Sequence, residues 1–257
     1  MTDALRAEWT KLRTLAGTGW LLIAAVIVTV AVSVAAAAAV RCPSGTCAED
    51  PAKISLTGID LGQAVVAVIA VLAISGEYGT GMIRITFTAL PRRTAVLAAK
   101  ATVLAALIAP AGLVAVALSL LAGRLILPGH GIGPAHGYPA LSLADGPVLR
   151  AAFGSVLYLM LIALLSLGVA TCVRDSAAGI GIVLALLYLF PILGPVLGSN
   201  LGRHVKQLGP MTAGLAIQAT VNLRTLPIAP WAGLGVLAAW SAAALLAAAL
   251  LLRLRDA

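Results

Sequence analysis

His130 and His136 stand six residues apart in the Gly- and Pro-rich stretch LPGHGIGPAHGYP, and His204 stands alone in a second loop segment. Neither spacing matches H-E-x-x-H, which puts two imidazoles on one helix face around a metal, and no metal site is expected. The serines and the three cysteines have no matching base within the apolar runs, which argues against a membrane-embedded enzyme. The G-x-x-x-x-G-K-[ST] pattern, whose backbone amides cradle phosphates, is missing as well. Active transport of a solute must then draw its energy from another subunit, with no cofactor expected in this chain.

An ionisable group at mid-bilayer costs about 2.5–3.5 kcal/mol or more and is usually kept for a task, so the apolar runs are the next place to look. Lys100 falls near the inner end of the third run, where its stem can snorkel to the surface. Asp60 falls near the outer end of the second. The spacing offers no buried carboxylate or histidine pair of the kind a proton-coupled carrier uses.

What must position these residues is a membrane. Mean hydropathy is +1.07 and only 10% of residues are charged, against about 25% in soluble domains. Apolar runs of roughly 20 residues, enough to cross a hydrocarbon core of about 30 Å, lie at 20–40, 57–75, 95–122, 151–172, 177–197 and 231–252. They are continuous, unlike the alternating segments of about ten residues in a barrel. The expected fold is an all-α polytopic membrane protein, one transmembrane domain over 1–257 with six spans. The first run, about 21 apolar residues, exceeds the roughly 7–15 of a signal peptide and is expected to remain as a helix.

Lys and Arg set orientation. With the N-terminus inside, Arg6, Lys11, Arg13, Arg84, Arg92, Arg93, Lys100, Arg174, Arg253 and Arg255 fall on the cytoplasmic side, whose segments are the shorter. Both termini are expected in the cytoplasm. The net charge of +8 then reads as orientation and attraction to anionic lipid, with no nucleic-acid partner.

Ahead of the first span, Leu5, Trp9, Leu12 and Ala16 share one stripe of a helical wheel and Arg6, Lys11 and Arg13 lie off it. This predicts an interfacial amphipathic helix over 1–19; packing of the same stripe on another protein is the alternative. Cys42 and Cys47, in RCPSGTC, fall in the first external loop, where an oxidising compartment allows a disulfide; two free thiols are the alternative. Cys172 reads as a small buried residue. Between the fifth and sixth spans, Leu201, Val205 and Leu208 keep helical spacing, and Pro210 opens an apolar segment of roughly a dozen residues, too short to span and suited to a re-entrant or interfacial helix.

One polar island interrupts the apolar pattern: SGEYGTGMIRITFTALPRRTAVLAAK, Ser75 to Lys100. Thr80 between Gly79 and Gly81 breaks the second helix, and Pro91 stops whatever follows. Within it Ile83, Phe87 and Leu90 fit one helix face, while Ile83, Ile85 and Phe87 also fit a strand. A lone strand leaves its backbone unpaired, so a short amphipathic cytoplasmic helix is the expectation. The segment resembles the loop after the second helix of type-2 ABC exporter permeases, with a Glu-Tyr pair, a Gly-Thr-Ile-Arg-like core and a Pro-Arg-Arg-like close; it departs from that pattern at Gly79 and Met82. AEWTKLRTL resembles the same family's connecting helix, and PWAGLGVLAAWSAAALLAAALLLRLRDA its sixth span and basic tail.

The resemblance implies a dimer of permeases, like or unlike, in a bacterial plasma membrane over two ATP-binding subunits that hold the ATP and Mg. It places docking on the loop 76–93, at Glu77, Tyr78, Thr80, Gly81, Ile83, Arg84, Phe87, Leu90, Arg92 and Arg93. Glu77 is expected to cap the short helix or to reach a nearby arginine. The resemblance also brings the second and fifth helices toward the dimer axis. In LLYLFPILGPVLGSN, Pro191 and Pro195 each remove a backbone donor, and Gly194 and Gly198 form a G-x-x-x-G face. An exporter of an amphipathic compound, peptide or lipid is the first expectation. An ion- or proton-coupled carrier and a membrane-anchoring subunit are the alternatives.

Overall fold

The computed structural model describes residues 9–10, 16–42, 49–79, 93–134, 137–138, 141–196 and 199–254. Among them every regular element is helical, and six helices are long and apolar enough to cross a membrane. These are α1 (Ala16–Ala39), α3 (Ile59–Gly79), α4 (Arg93–Ile126), α5 (Gly146–Val173), α6 (Ser176–Val196) and α9 (Pro230–Leu254). Three shorter helices complete the set: α2 (Pro51–Ser55), α7 (Ser199–Leu208) and α8 (Pro210–Gly214).

The expected spans are each found, with ends that follow local chemistry. α3 runs on to Gly79, past the expected end at 75. α4, with 34 residues, is about 50 Å long, more than a bilayer core needs, so it must tilt or project. It ends where Pro128 enters a 3-10 turn (Leu127–His130) closed by Gly131 at φ 84, a left-handed conformation suited to glycine. α5 starts with a proline in its first turn and ends at Arg174, left-handed at φ 62, whose N–H bonds Ala170 O at 2.9 Å. Asp175 then accepts from Ala178 N at 2.7 Å to start α6, so two spans are joined with almost no loop.

α5 is the centre of the bundle. Of its span 61% is buried, against 22% for α1, α6 and α9, and Tyr158, Leu159, Ile162, Leu165 and Leu167 form its packed face. The outward faces of α1 and α6 carry Trp20, Ile23, Ile27, Ile192 and Val196, the composition of a lipid-facing surface. Helices meet where side chains vanish, as small residues allow in membranes. A Cβ on Gly58 or Gly62 would strike Thr29 of α1, and one on Gly168 would lie 2.7–2.8 Å from Ala244 and Leu245 of α9.

The apolar segment after Pro210 folds as α8 and a 3-10 turn (Leu215–Gln218) inside the protein, with Met211, Ala213 and Ile217 buried. Its exit is fixed by Asp50. That carboxylate caps α2 through Ala52 N (3.1 Å) and Lys53 N (3.3 Å), and also accepts from Thr220 N (2.5 Å), Thr220 Oγ1 (2.7 Å) and Val221 N (3.1 Å). The bundle therefore has two distinct ends. One gathers the last turn of α3, the first turns of α4 and the α5–α6 turn; the other gathers α2, α7, α8 and the loops around them.

Candidate functional site

α3 and α4 flank the segment 80–92, which lies outside the described residues, and an ion pair ties them together. Lys100 Nζ meets Glu77 Oε1 at 2.7 Å and donates to Ala73 O at 3.1 Å. The lysine side chain is 0% exposed and the glutamate side chain 5%. One expectation is corrected here: Lys100 turns inward onto Glu77 and does not snorkel. A buried ammonium is tolerable only when paired and hydrogen-bonded, and α3 supplies both the carboxylate and a carbonyl four residues before it. The expected lack of a buried charged pair is corrected with it. Nothing in local periodicity pointed to the contact, because the partners are 23 residues apart on different helices.

Next to the pair, Arg174 of the α5–α6 turn stands over the Tyr78 ring, 5.4 Å from its centroid, within reach of a cation–π attraction of about 0.5–2 kcal/mol. The left-handed turn at Arg174 is what lets α5 deliver its guanidinium there. Three chain segments thus converge on the last turn of α3: α4 through Lys100, and α5 and α6 through Arg174.

The other expected site residues are distributed as follows. Thr80, Gly81, Ile83, Arg84, Phe87, Leu90 and Arg92 lie outside the described residues, as do Leu5, Leu12, Cys47 and Gly198. Arg93 is the first residue of α4. Trp9 is helical and exposed. Cys42 is buried and disulfide-bonded, with the Tyr138 hydroxyl 3.4 Å from its Sγ, and Cys172 is half-buried near the end of α5. In α6, Pro191 borders a cleft at the far end of the bundle, and Pro195 lies within the helix. Gly194 is buried against the Lys206 stem of α7, where a Cβ would lie 3.2–3.3 Å from Lys206 carbons. The glycine expected to face a second protomer is thus occupied within its own chain.

Sequence reasoning missed a polar knot near the start of α3. Gln63, fully buried, donates from Nε2 to Asp60 O (3.0 Å) and toward Met211 Sδ (3.1 Å) and accepts from the Tyr158 hydroxyl. The Tyr188 hydroxyl donates to the same Asp60 carbonyl. The knot joins α3, α5, α6 and α8. Its signal was present in the sequence, since a glutamine and two tyrosines inside apolar spans must find partners.

Comparison with protein-family models finds none that matches the chain, and comparison with curated proteins finds no match either. The class that the fold defines is a multi-pass α-helical membrane protein.

Proposed function

We infer that the chain is the transmembrane permease subunit of an ATP-driven ABC exporter. It pairs with a second protomer and couples to two copies of an ATP-binding subunit through the loop 76–93. The observation that carries this reading is the Glu77–Lys100 pair, 2.7 Å long and buried, which fastens both ends of a basic, turn-rich segment to the bundle. A docking loop must transmit force, and a loop whose two ends share one buried ion pair behaves as a lever rather than a tether. The sequence resemblance of that loop to type-2 exporter permeases supplies the partner. The excess of Lys and Arg expected at the same end supports reading it as the cytoplasmic face, the bacterial plasma membrane follows from the resemblance, and the apolar interior suits an amphipathic cargo.

The test is co-purification from source membranes with mass spectrometry, followed by pull-down with the Arg84→Glu/Phe87→Ala double variant. An ATP-binding subunit is expected to co-purify with the wild type and to be lost with the variant, while insertion in the membrane is kept. Wild-type recovery by the variant would remove the docking role.

The second reading, an ion- or proton-coupled carrier, draws on the same buried pair, since a carboxylate and an amine that exchange a proton are what such carriers use. A gradient imposed on the chain alone separates the two.

A further inference from the structure

At the end of the bundle opposite the ion pair, a cleft of about 420 Å³ opens between α2, α3, α6, α7, the 3-10 turn after α8 and the loop 226–228. Its size falls in the range of small-molecule sites, about 300–1,000 Å³. Most of the lining is apolar, from Pro191, Met211 and Leu215 among others, but three charges meet in it: Lys53, Lys206 and Asp60. Gln218 adds a fourth polar group. It is 2% exposed, and its amide Nε2 has no hydrogen-bond partner among the described residues. A buried amide left unsatisfied is costly, and an acceptor brought into the cleft is one way to complete it. The Asp60 backbone is already spent on Gln63 and Tyr188, while its carboxylate borders the cleft.

We propose that this cleft binds the head of an aminophospholipid, a phosphate and a primary amine carried on an acyl-chain anchor. Lys53 and Lys206 receive the phosphate, Asp60 receives the amine, and the Gln218 amide bonds a phosphate or ester oxygen. Two cations alone would favour any anion; a carboxylate in the same cleft disfavours a head with phosphate only and selects one with both signs. The apolar wall takes the first carbons of the chains. The site lies at the mouth of the bundle, beside α6 with its exposed Ile192, Leu193 and Val196, where a lipid reaches it sideways from the bilayer. The proposal stands whichever transport mechanism the chain uses.

Native mass spectrometry of the detergent-purified protein tests it, with phosphatidylethanolamine, phosphatidylglycerol and diacylglycerol added in turn. Phosphatidylethanolamine should be retained about tenfold better than phosphatidylglycerol, the equivalent of one charge-assisted contact, and diacylglycerol should not be retained. Asp60→Asn should equalise the two phospholipids, and Lys53→Met/Lys206→Met, which keeps the Lys206 stem on Gly194, should weaken both. Soluble glycerophosphoethanolamine should compete only weakly; competition at the lipid's own affinity would overturn the lipid assignment in favour of a soluble phosphoamine. Equal retention of all three lipids would overturn the site. Should a variant fail to fold, photo-crosslinking of the wild type with a head-labelled phosphatidylethanolamine decides: adducts in 206–228 support the site, and adducts confined to the faces of α1 or α9 refute it.

Discussion

Lys100 shows how one side chain can couple two helices. Its ammonium bonds a Glu77 carboxylate oxygen and the Ala73 carbonyl, so its burial rests on Glu77 staying in place. Removing one partner of a buried pair leaves the other charge unpaired and costs about 3–5 kcal/mol, whereas replacing both with apolar residues is often neutral. Lys100→Met is therefore expected to lower the thermal midpoint in detergent sharply, and Glu77→Leu/Lys100→Met to recover most of the loss. Equal midpoints for the single and double variants would mean the pair is not coupled. The double variant should still insert but lose the lever, so stability and coupling separate in the same pair of proteins. Glu77 and Lys100 were each visible in the sequence as polar residues at span ends. Their union was not, because a lysine stem long enough to snorkel is equally long enough to turn inward.

At the scale of elements, hydropathy made the six spans legible to within a few residues, since a bilayer imposes length and apolarity on each. Ends were less legible because they depend on single residues: Arg174 accepting a left-handed φ, or Pro128 ending α4 two residues after its last full turn. Helix neighbours were illegible. Apolar spans look alike all round, and what selects a partner is an absence of side chain. Gly58 and Gly62 press on Thr29, and Gly58 N donates to Ser33 Oγ at 3.1 Å, whereas Gly17 and Gly19 in α1 meet nothing within 4 Å. Gly58→Val is accordingly expected to pry α1 from α3 and cost a few kcal/mol, in the range of overpacking about 1–3 kcal/mol or more. Gly19→Val should be tolerated. Protease accessibility of the α1–α3 connection and thermal stability in detergent check both; indifference at Gly58 would contradict the close approach.

For the whole molecule the two ends matter together. α3, about 30 Å long, carries Asp60 and Gln63 at one end and Glu77 and Tyr78 at the other, and it is clamped at both by buried polar contacts. The Gln63–Tyr158 contact joins its first turns to α5, and the Glu77–Lys100 pair joins its last turn to α4. The proposed exporter reading requires an outside source of work. The sequence holds no phosphate-binding loop, and Glu77 and Lys100 are locked to each other close to one end, with the knot at the other end built from amide, phenol, thioether and backbone groups. Reconstituted alone in liposomes, the chain is expected neither to hydrolyse ATP nor to carry an amphipathic reporter down an imposed proton gradient. With the ATP-binding subunit that co-purifies with it, both ATPase activity and ATP-dependent export should appear. Glu77→Gln should then reduce export more than ATPase activity, because it slackens the lever without touching the nucleotide site. Gradient-driven transport by the chain alone, abolished by Glu77→Gln, would instead establish the carrier reading, with the ion pair as its proton exchanger.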